Sequence, residues 1–357
     1  MAKFRIVGIS FDHMHMGDLL RCVHDHPDAE IVGIYDPDRA TMQRAVDSFG
    51  IPEDRVFTDF DTCMRAAKPD LAILCAATAN HADYTKRLAA YGVHVFVEKP
   101  FASSVADARA MIAAMPLGKT LAINWPLRWV ESHVTAKRLV DKGLIGEVIE
   151  IHSYGGNRGP LYHLADKIEV SREEVERQKP TSWWYKRASG GGSLLDYLGY
   201  GATLGTWYRN GEAPLEVTCV TDETPGIEVD QHAIVVCRYA TGLSKMETRW
   251  GTFTDPWMIQ PQPKCGFVLV GTEGTIASWD YADHVTVQTR AKPEPHPIPA
   301  DPLPPGGRNA IEYVLGCIAR NEPLTGPLDP ATSLTGQRIV DTAAESARQK
   351  RTLPLIP

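Results

Sequence analysis

Short apolar runs alternate with helix-length segments through the first 123 residues of this chain. The runs are 3–9, 31–35, 56–57, 71–76, 93–97 and 120–123, and helices are predicted between them at 14–24, 39–49, 61–68, 82–91 and 105–115. Apolar runs without polar alternation are typical of strands buried on both faces. Their alternation with helices predicts right-handed crossovers and a doubly wound parallel sheet of the dinucleotide-binding type.

The fifth run ends in the segment Glu98-Lys99-Pro100. Ligands of open α/β sheets bind at the carboxyl ends of the strands, so this segment places two charges at the ligand edge. Pro100 disfavours the helical region for the residue before it, which should hold Lys99 extended. We therefore expect the Lys99 ammonium to point into the crevice at this edge.

Length, composition and charge indicate a globular protein and argue against nucleic-acid binding and membrane insertion. The chain has 357 residues, enough for two domains, and its 43% hydrophobic and 23% charged residues predict a packed globular protein. A net charge of −7 without a basic run argues against nucleic-acid binding, and no apolar run approaches the ~20 residues of a membrane span. A strand-like segment starts almost at once, so no signal peptide is expected. Seven scattered cysteines without a CxxC pair indicate reduced thiols, and we predict a cytoplasmic protein.

The turn after the first run carries only part of a dinucleotide fingerprint. A G-x-G-x-x-G motif needs three glycines, and the chain has Gly8, Ser10 and His13 at those positions. Ser10 is small enough to let the backbone approach a diphosphate, and the following helix N-terminus offers N–H groups. His13 and His15 either bind a phosphate there or simply pack or face solvent. No carboxylate or thiol spacing supports a metal site at His13, His15 and His81, so no metal is predicted.

Polar residues at the ends of the second and fourth runs are candidate cofactor ligands. A carboxylate at Asp36 accepts from an adenosine ribose and repels a 2′-phosphate, which favours NAD over NADP. Arg39 either binds a phosphate or is a solvated helix position, and Asn80 either caps the next helix or contacts a ribose. The predicted cofactor contacts are Gly8, Ser10, His13, Asp36, Arg39, Thr78, Asn80, His81, Glu98 and Lys99.

Strand-like runs with polar alternation dominate the chain beyond residue 123. They cover 147–154, 215–221, 229–239, 243–250, 266–270, 275–279 and 285–289. This pattern predicts a mainly antiparallel sheet with one covered face. Helices are predicted at 131–142, 171–177, 309–320 and 332–348, and the proline-rich stretch 292–305 is predicted to be a loop or arm. We expect an α/β protein with two domains, 1–123 and 124–357.

Four segments resemble the glucose–fructose oxidoreductase / inositol dehydrogenase / rhizopine catabolism (Gfo/Idh/MocA) family. They are A-T-x-N-H at 77–81, G-V-H-V-F-V-E-K-P at 92–100, G-L-I-G-E-V at 143–148 and G-G-G-S-L-L-D at 190–196, with Asn124 and Arg128 in the family's order. The resemblance implies an N-terminal Rossmann domain that binds NAD and a C-terminal α+β domain with a large, mainly antiparallel open sheet. It also implies that the outer sheet face packs against a second subunit, in a homodimer or homotetramer.

Asp196 and Tyr200 are four residues apart and share one helix face, which the resemblance directs toward Lys99. The family usually has His at the Tyr200 position, although Tyr occurs in its glucose–fructose oxidoreductase branch. We predict that Tyr200 is the acid/base group, with a pKa lowered by Lys99 and a nicotinamide cation, and that Asp196 orients a hydroxyl. The alternatives are a capping pair of Ser193 with Asp196 and a buried core tyrosine at 200.

Aromatic and polar residues of the second half suit a sugar pocket, since aromatic faces match sugar C–H surfaces and arginine forks match carboxylates. Singly, each tryptophan is as often a core residue, and the three arginines only hint at an anionic substrate. The predicted substrate contacts are Trp125, Arg128, Tyr154, Asn157, Arg158, His163, Trp183, Trp184 and Arg187.

Three functions are compatible with these residues. The preferred one is an NAD-dependent oxidoreductase that acts on a secondary hydroxyl or ketone of a sugar, polyol or glycoside. The second is a hydrolase that keeps NAD bound and cleaves glycosides by transient oxidation, elimination and re-reduction. The third is a non-catalytic sugar or nucleotide sensor, which the presence of Lys99, Asp196 and Tyr200 disfavours.

Overall fold

The first sheet contains six parallel strands. A computed structural model describes residues 3–357, in which this sheet has the order β3-β2-β1-β4-β5-β6. The strands are β1 Phe4–Ile9, β2 Ala29–Tyr35, β3 Val56–Phe57, β4 Leu71–Leu74, β5 His94–Glu98 and β6 Leu121–Asn124. From β1 the chain adds strands first on one side (β2, β3) and then on the other (β4, β5, β6). The point between β1 and β4 where the order switches opens a crevice at the carboxyl ends of the strands. The predicted Rossmann-type sheet is confirmed.

Helices cover both faces of this sheet. They are α1 His15–His24, α2 Gln43–Phe49, α3 Phe60–Ala67, α4 His81–Ala90 and α5 Val105–Ala114. The carboxylate of Asp59 and the hydroxyl of Ser104 accept the N–H groups of Thr62 and Asp107, which caps α3 and α5. α1 buries Met16, Leu19, Leu20 and Val23 on one face, because these residues recur at helical spacing.

The second sheet has nine strands in the order β14-β13-β12-β11-β7-β10-β9-β8-β15. The strands are β7 Val148–Asn157, β8 Glu216–Thr221, β9 His232–Arg238, β10 Leu243–Trp250, β11 Gly266–Gly271, β12 Gly274–Trp279, β13 His284–Thr289, β14 His296–Pro299 and β15 Leu353–Pro354. β7 and β10 pair in parallel at the centre, and the other pairs are antiparallel, so the predicted mainly antiparallel sheet is confirmed.

The proline-rich stretch predicted as a loop contains strand β14. Two of its four residues are Pro297 and Pro299, which cannot donate to a neighbouring strand. β14 pairs only with β13 and ends the sheet, and an edge strand is where proline is tolerated. Alternation in β9 buries Ala233, Val235 and Cys237 and leaves Ile234 and Val236 on an open outer face.

Five further helices complete the chain: α6 Glu131–Asp141, α7 Arg172–Gln178, α8 Ser193–Tyr208, α9 Ala310–Arg320 and α10 Pro330–Gln349. α8 lies against β7 and β10, and α10 packs beside α8. α9 instead buries Ile311, Val314 and Leu315 against the core under the first sheet. This late segment of the chain therefore packs against the first sheet. The division into two domains at residue 123 stays a prediction. No helix within residues 3–357 is long and apolar enough to cross a bilayer.

Candidate active site

Lys99 and Asp196 form a buried ion pair between the two sheets. Lys99 directly follows β5, and Asp196 lies in the first turn of α8. The Lys99 ammonium donates to Asp196 Oδ1, and the two residues are only 5% and 4% exposed. The indole of Trp250 donates to the other carboxylate oxygen at 2.9 Å. Asp196 is thus held by a charge and a hydrogen bond at once, and it does not pair with Ser193, whose hydroxyl donates to Asp230.

Glycines allow α8 to begin at this point. Gly192 has φ 110°, a backbone conformation that residues with a side chain rarely adopt. A Cβ on Gly191 would lie only 2.1 Å from the carbonyl oxygen of Trp184. The chain can therefore turn tightly over the Trp184 backbone and direct the first turn of α8 at Lys99.

Tyr200 lies beside the ion pair but its pKa moves opposite to our expectation. Lys99 Nζ lies 5.6 Å from the centre of the Tyr200 ring, and Trp125 meets this ring edge-on with 5.5 Å between ring centres. Burial raises the pKa of Tyr200 well above its usual range, and the charges of Glu98 and Asp196 add to this effect. Lys99 by itself therefore does not lower this pKa, because burial dominates, and a lowering by a nicotinamide cation stays a prediction.

Glu98 anchors a second cluster that the sequence analysis did not foresee. One oxygen lies 2.8 Å from His15 Nδ1, and the other accepts from the Asn124 amide at 2.7 Å. Burial opposes ionisation of this carboxyl, but His15, Lys99 and the Asn124 hydrogen bond hold its pKa below the ordinary value. A buried carboxylate at the end of β5 therefore joins α1 to β6, and its contact with a cofactor stays a prediction.

His13 faces the same cluster from the turn before α1. Its Nδ1 accepts the backbone N–H of His15 at 3.1 Å, and its Nε2 lies 4.0 Å from Glu98 Oε1. Burial, with the charges of His15 and Lys99, lowers the pKa of His13 well below its usual value. His13, His15 and Glu98 bring possible ligand atoms within 4.8 Å of one another, a spacing that suits a metal ion. However, the contact at Nδ1 puts the hydrogen rather than a lone pair on Nε2 of a neutral His13.

A cavity of about 70 Å³ lies beside the ion pair, and Lys99 and Asp196 both belong to its wall. Its wall includes Asn157, His163 and Trp184 from the predicted substrate set. It also includes residues the sequence analysis missed, among them Tyr197, Trp257, Asp280 and Tyr281. Only Tyr197 carried a usable signal, because it stands three residues before Tyr200 on the same helix.

The other predicted substrate residues do not line this cavity. Trp125 is buried and donates to Ser333, and Arg128 packs over Trp129 and Trp207. Arg158 is paired with Asp255 and Glu169, and Arg187 binds Glu228. Tyr154 lines an adjoining small pocket, and Trp183 stacks on Trp184 with 3.8 Å between ring centres. All three arginines are engaged elsewhere, so they give no support to an anionic substrate.

The groove at the carboxyl ends of β1, β2 and β4 has features that fit a dinucleotide. Asp36 is buried at the end of β2 and accepts the N–H groups of Phe11 and Asp38 at 2.7 and 2.9 Å, which leaves lone pairs for a ribose hydroxyl. Thr78 Oγ1 is buried and has no hydrogen-bond partner in the described part of the chain. Gly8 lets α1 pack closely, since a Cβ there would lie 3.1 Å from Met16 Sδ.

The phosphate turn itself departs from the fingerprint. The carboxylate of Asp12 accepts from the Ser10 hydroxyl at 3.1 Å and from the Ala77 N–H at 2.7 Å. Ser10 adopts φ 62°, a left-handed conformation that glycine usually supplies. Asp36 therefore fits the ribose of a dinucleotide, whereas this turn fits its diphosphate less well.

Two predicted cofactor residues, Arg39 and His81, have other partners. Arg39 binds Glu53 and Gln43 on the surface. Asn80 is exposed and makes no capping hydrogen bond to α4. The ring nitrogens of His81 lie 2.9 Å from the carbonyl of Ala76 and 3.2 Å from that of Phe101, which explains its burial as structural.

Two family models match the chain. "Oxidoreductase family, NAD-binding Rossmann fold" matches residues 2–122, and "GFO/IDH/MocA C-terminal domain" matches residues 133–277. The chain belongs to the Gfo/Idh/MocA oxidoreductase family. The resemblance seen in the sequence is thereby confirmed, and so is the NAD-binding type of the first fold unit.

Relatives of this Gfo/Idh/MocA protein include sugar and polyol dehydrogenases. D-apiose dehydrogenase of Paraburkholderia graminis is 30% identical over 148 residues, which are 40% of this chain and 37% of the relative. Inositol 2-dehydrogenase of Salmonella typhimurium is 28% identical over 173 residues, 46% of this chain and 50% of the relative. A 2,7-anhydro-N-acetylneuraminate hydratase of Mediterraneibacter gnavus is 27% identical over 200 residues, 55% and 46% of the two chains. The matches thus span half or less of each relative.

Solved structures share the fold over nearly the full length. An aldose-aldose oxidoreductase of Caulobacter crescentus complexed with glycerol has a TM-score of 0.78 at 21% identity, covering 99% of this chain and 100% of that one. A levoglucosan dehydrogenase in complex with NADH and levoglucosan has a TM-score of 0.78 at 16% identity, with coverage of 99% and 100%. At such identities the similarity establishes the fold.

Proposed function

We propose that this protein is an NAD-dependent oxidoreductase that interconverts a secondary hydroxyl and a ketone of a sugar, polyol or glycoside. The observation that carries the proposal is the buried pair of Lys99 and Asp196, which joins the carboxyl end of β5 to the first turn of α8. An ammonium held at the wall of a cavity is suited to hydrogen-bond an oxygen whose charge changes during hydride transfer.

A nicotinamide dinucleotide would be held by Asp36 at a ribose and by Thr78 near the middle of the groove. When bound, this group supplies a hydride acceptor or donor. The carboxylate of Asp36 favours NAD over NADP, because a 2′-phosphate would meet its negative charge. Arg39 does not offset this repulsion of a 2′-phosphate, because its guanidinium is paired with Glu53.

The chain's own residues would act on the substrate oxygen. Lys99 donates a hydrogen bond to it, and Asp196 with Trp250 fixes the ammonium in place. Tyr200 remains our acid/base group. Its raised pKa keeps the phenol protonated in the resting site, so Tyr200 is prepared to protonate an oxygen during ketone reduction.

The substrate class and the assembly are also part of the proposal. Relatives are named for D-apiose and inositol, and a structural neighbour binds levoglucosan, which supports a neutral sugar or polyol. The apolar outer residues Ile234 and Val236 support pairing with a second copy as a homodimer or homotetramer. Seven unpaired cysteines support a reducing compartment such as the cytoplasm.

The test is NADH formation from NAD⁺ with a panel of D-apiose, myo-inositol, levoglucosan and D-glucose. Lys99→Met and Tyr200→Phe should each lower kcat/KM by about a hundredfold or more while NAD⁺ still binds. Lys137→Met is the matched control, because Lys137 is also largely buried and paired but lies outside the cavity. Full turnover in both site variants would refute the assignment.

The hydratase among the relatives favours a second candidate function, in which NAD is retained and the substrate is cleaved or hydrated after transient oxidation. The same Lys99, Asp196 and Tyr200 would serve. Product formation from an anhydro-sugar or glycoside without net NADH identifies this case. Binding of NAD and sugars without any turnover identifies a sensor.

A further inference from the structure

One buried nitrogen in the cavity wall has no role in the chemistry described so far. His13 is 2% exposed, lines the cavity with Lys99 and Tyr200, and its Nε2 has no hydrogen-bond partner within residues 3–357. A buried donor or acceptor without a partner is unfavourable and uncommon in proteins, so such an atom needs an explanation.

The neighbouring groups decide whether His13 Nε2 is a hydrogen-bond donor or an acceptor. The backbone N–H of His15 points at His13 Nδ1 with 3.1 Å between the nitrogens, so Nδ1 carries the lone pair. In a neutral ring, Nε2 then carries the hydrogen. The nearest carboxylate oxygen, Glu98 Oε1, is 4.0 Å from Nε2, which is too long for a hydrogen bond, and it is already paired with His15. His13 therefore presents an unused N–H donor.

The ring is held rigidly in this orientation. The His13 backbone N–H donates to the carbonyl of Cys75 at 3.0 Å, which ties the turn to the end of β4. The ring meets Trp184 edge-on at 4.9 Å and tilts against His15 at 4.4 Å between ring centres. A donor fixed before the ligand arrives can stabilise developing charge without reorganising.

We propose that His13, through Nε2–H, donates a hydrogen bond to the reacting oxygen of the substrate next to Lys99. The inference rests on the proposed oxidoreductase function and moves His13 from the cofactor to the substrate. A neutral imidazole in this role polarises a carbonyl and keeps its own proton. The hydride that a reduced nicotinamide would supply adds to the carbonyl carbon, and the oxygen becomes an alkoxide that accepts from His13 and Lys99. Tyr200 then gives its phenol proton to complete the alcohol and is left as a phenolate.

Three variants of one position test the role. His13→Gly restores the third glycine of the fingerprint, His13→Met removes the donor at similar size, and His13→Gln returns an N–H near the position of Nε2. With 2-keto-myo-inositol and NADH, kcat/KM should fall about a hundredfold in the Gly and Met variants and recover by about tenfold in the Gln variant. NAD⁺ affinity, measured by calorimetry, should change by no more than about twofold in all three.

Other results would overturn the inference. A large loss of NAD⁺ affinity in His13→Met with unchanged kcat at saturating cofactor would return His13 to the cofactor. A stoichiometric divalent metal in the purified wild type that is lost in His13→Met would make Nε2 a ligand and not a donor.

Keto-sugar binding without turnover separates this inference from the proposed function. Calorimetry with 2-keto-myo-inositol should give about tenfold weaker binding to His13→Met than to the wild type. Equal affinities refute the role of His13, even if the wild type turns over. If the wild type neither binds nor turns over 2-keto-myo-inositol or any compound of the panel, both the proposed function and the inference fail.

Discussion

The indole Nε1 of Trp250 donates to Asp196 Oδ2 at 2.9 Å, on the side of the carboxylate opposite to Lys99. This contact joins the last residue of β10 to the first turn of α8, 54 residues apart in the chain. It leaves Asp196 with a single orientation, and through Asp196 it fixes the Lys99 ammonium. A tryptophan from the second sheet thereby positions a lysine from the first.

Trp250→Phe should weaken this positioning while preserving most of the packing. Loss of one hydrogen bond to a buried carboxylate costs about 1.5–3 kcal/mol, and we expect kcat/KM to fall about tenfold with a smaller change in KM. Steady-state kinetics on the best substrate measures it. Trp207→Phe is the control, because Trp207 packs on Arg128 away from the cavity. An unchanged kcat would show that Asp196 needs no second partner.

The contributions of Lys99 and Asp196 to the free energy of unfolding should depend strongly on each other. Lys99→Met leaves the Asp196 carboxylate buried beside one hydrogen bond, and we expect a loss of about 3–5 kcal/mol in the free energy of unfolding. Lys99→Met combined with Asp196→Leu should cost less than the sum of the single variants, since it removes both charges. Urea unfolding of the four proteins gives the coupling energy. Strictly additive losses would contradict the buried pair.

Acid should destabilise the protein through His13. Its pKa is lowered in the folded state, so below the unfolded pKa of about 6.5 the unfolded chain binds a proton that the folded chain does not. Stability contributed by the neutral ring is therefore present above about pH 6.5 and is lost as the pH falls below it, by at most about 1.4 kcal/mol per pH unit. Unfolding measured from neutral to mildly acidic pH should show a shallower decline in His13→Gln than in the wild type.

His163 should contribute in the same direction, because its pKa is also lowered in the folded state. Burial, with the charges of His15 and Lys99, lowers its pKa to about 3. His163→Asn should also flatten the pH dependence of stability between neutral and mildly acidic pH. A pH dependence identical to that of the wild type in both variants would mean that neither imidazole is kept neutral by the fold.

Asp36 should set the choice between the two dinucleotides. Asp36→Asn keeps an oxygen for the Phe11 or Asp38 amide but removes the charge that disfavours a 2′-phosphate. We expect the NADP⁺ to NAD⁺ ratio of kcat/KM to rise about tenfold. Asp38→Asn serves as control, since Asp38 caps the following turn through Ala40. An equal rise in the control would point to general loss of negative charge.

Several residues show where sequence reasoning ended. The tryptophan and arginine set was chosen by residue type, yet Trp125 and Arg128 pack away from the cavity, because a large side chain can fill a core or a site equally well. Tyr281 and Trp257 enter the wall from segments that carry no motif. The prolines of β14 indicated a loop, but proline is tolerated in a strand at the edge of a sheet, which is where β14 lies. α9 packs under the first sheet although it follows strands β7 to β14 of the second sheet in the chain.

The sequence alone determined the two sheets, the ligand edge of the first one, and the residue types at that edge, because buried strands and tight turns impose local patterns of hydrophobicity, glycine and proline. Only the tertiary structure decided which charges meet. Contacts such as His15 with Glu98, Trp250 with Asp196 and His13 with the cavity join residues far apart in the chain or depend on ring orientation. The same contacts decide the pKa of Tyr200, since burial and neighbouring carboxylates outweigh a lysine whose charge is already paired.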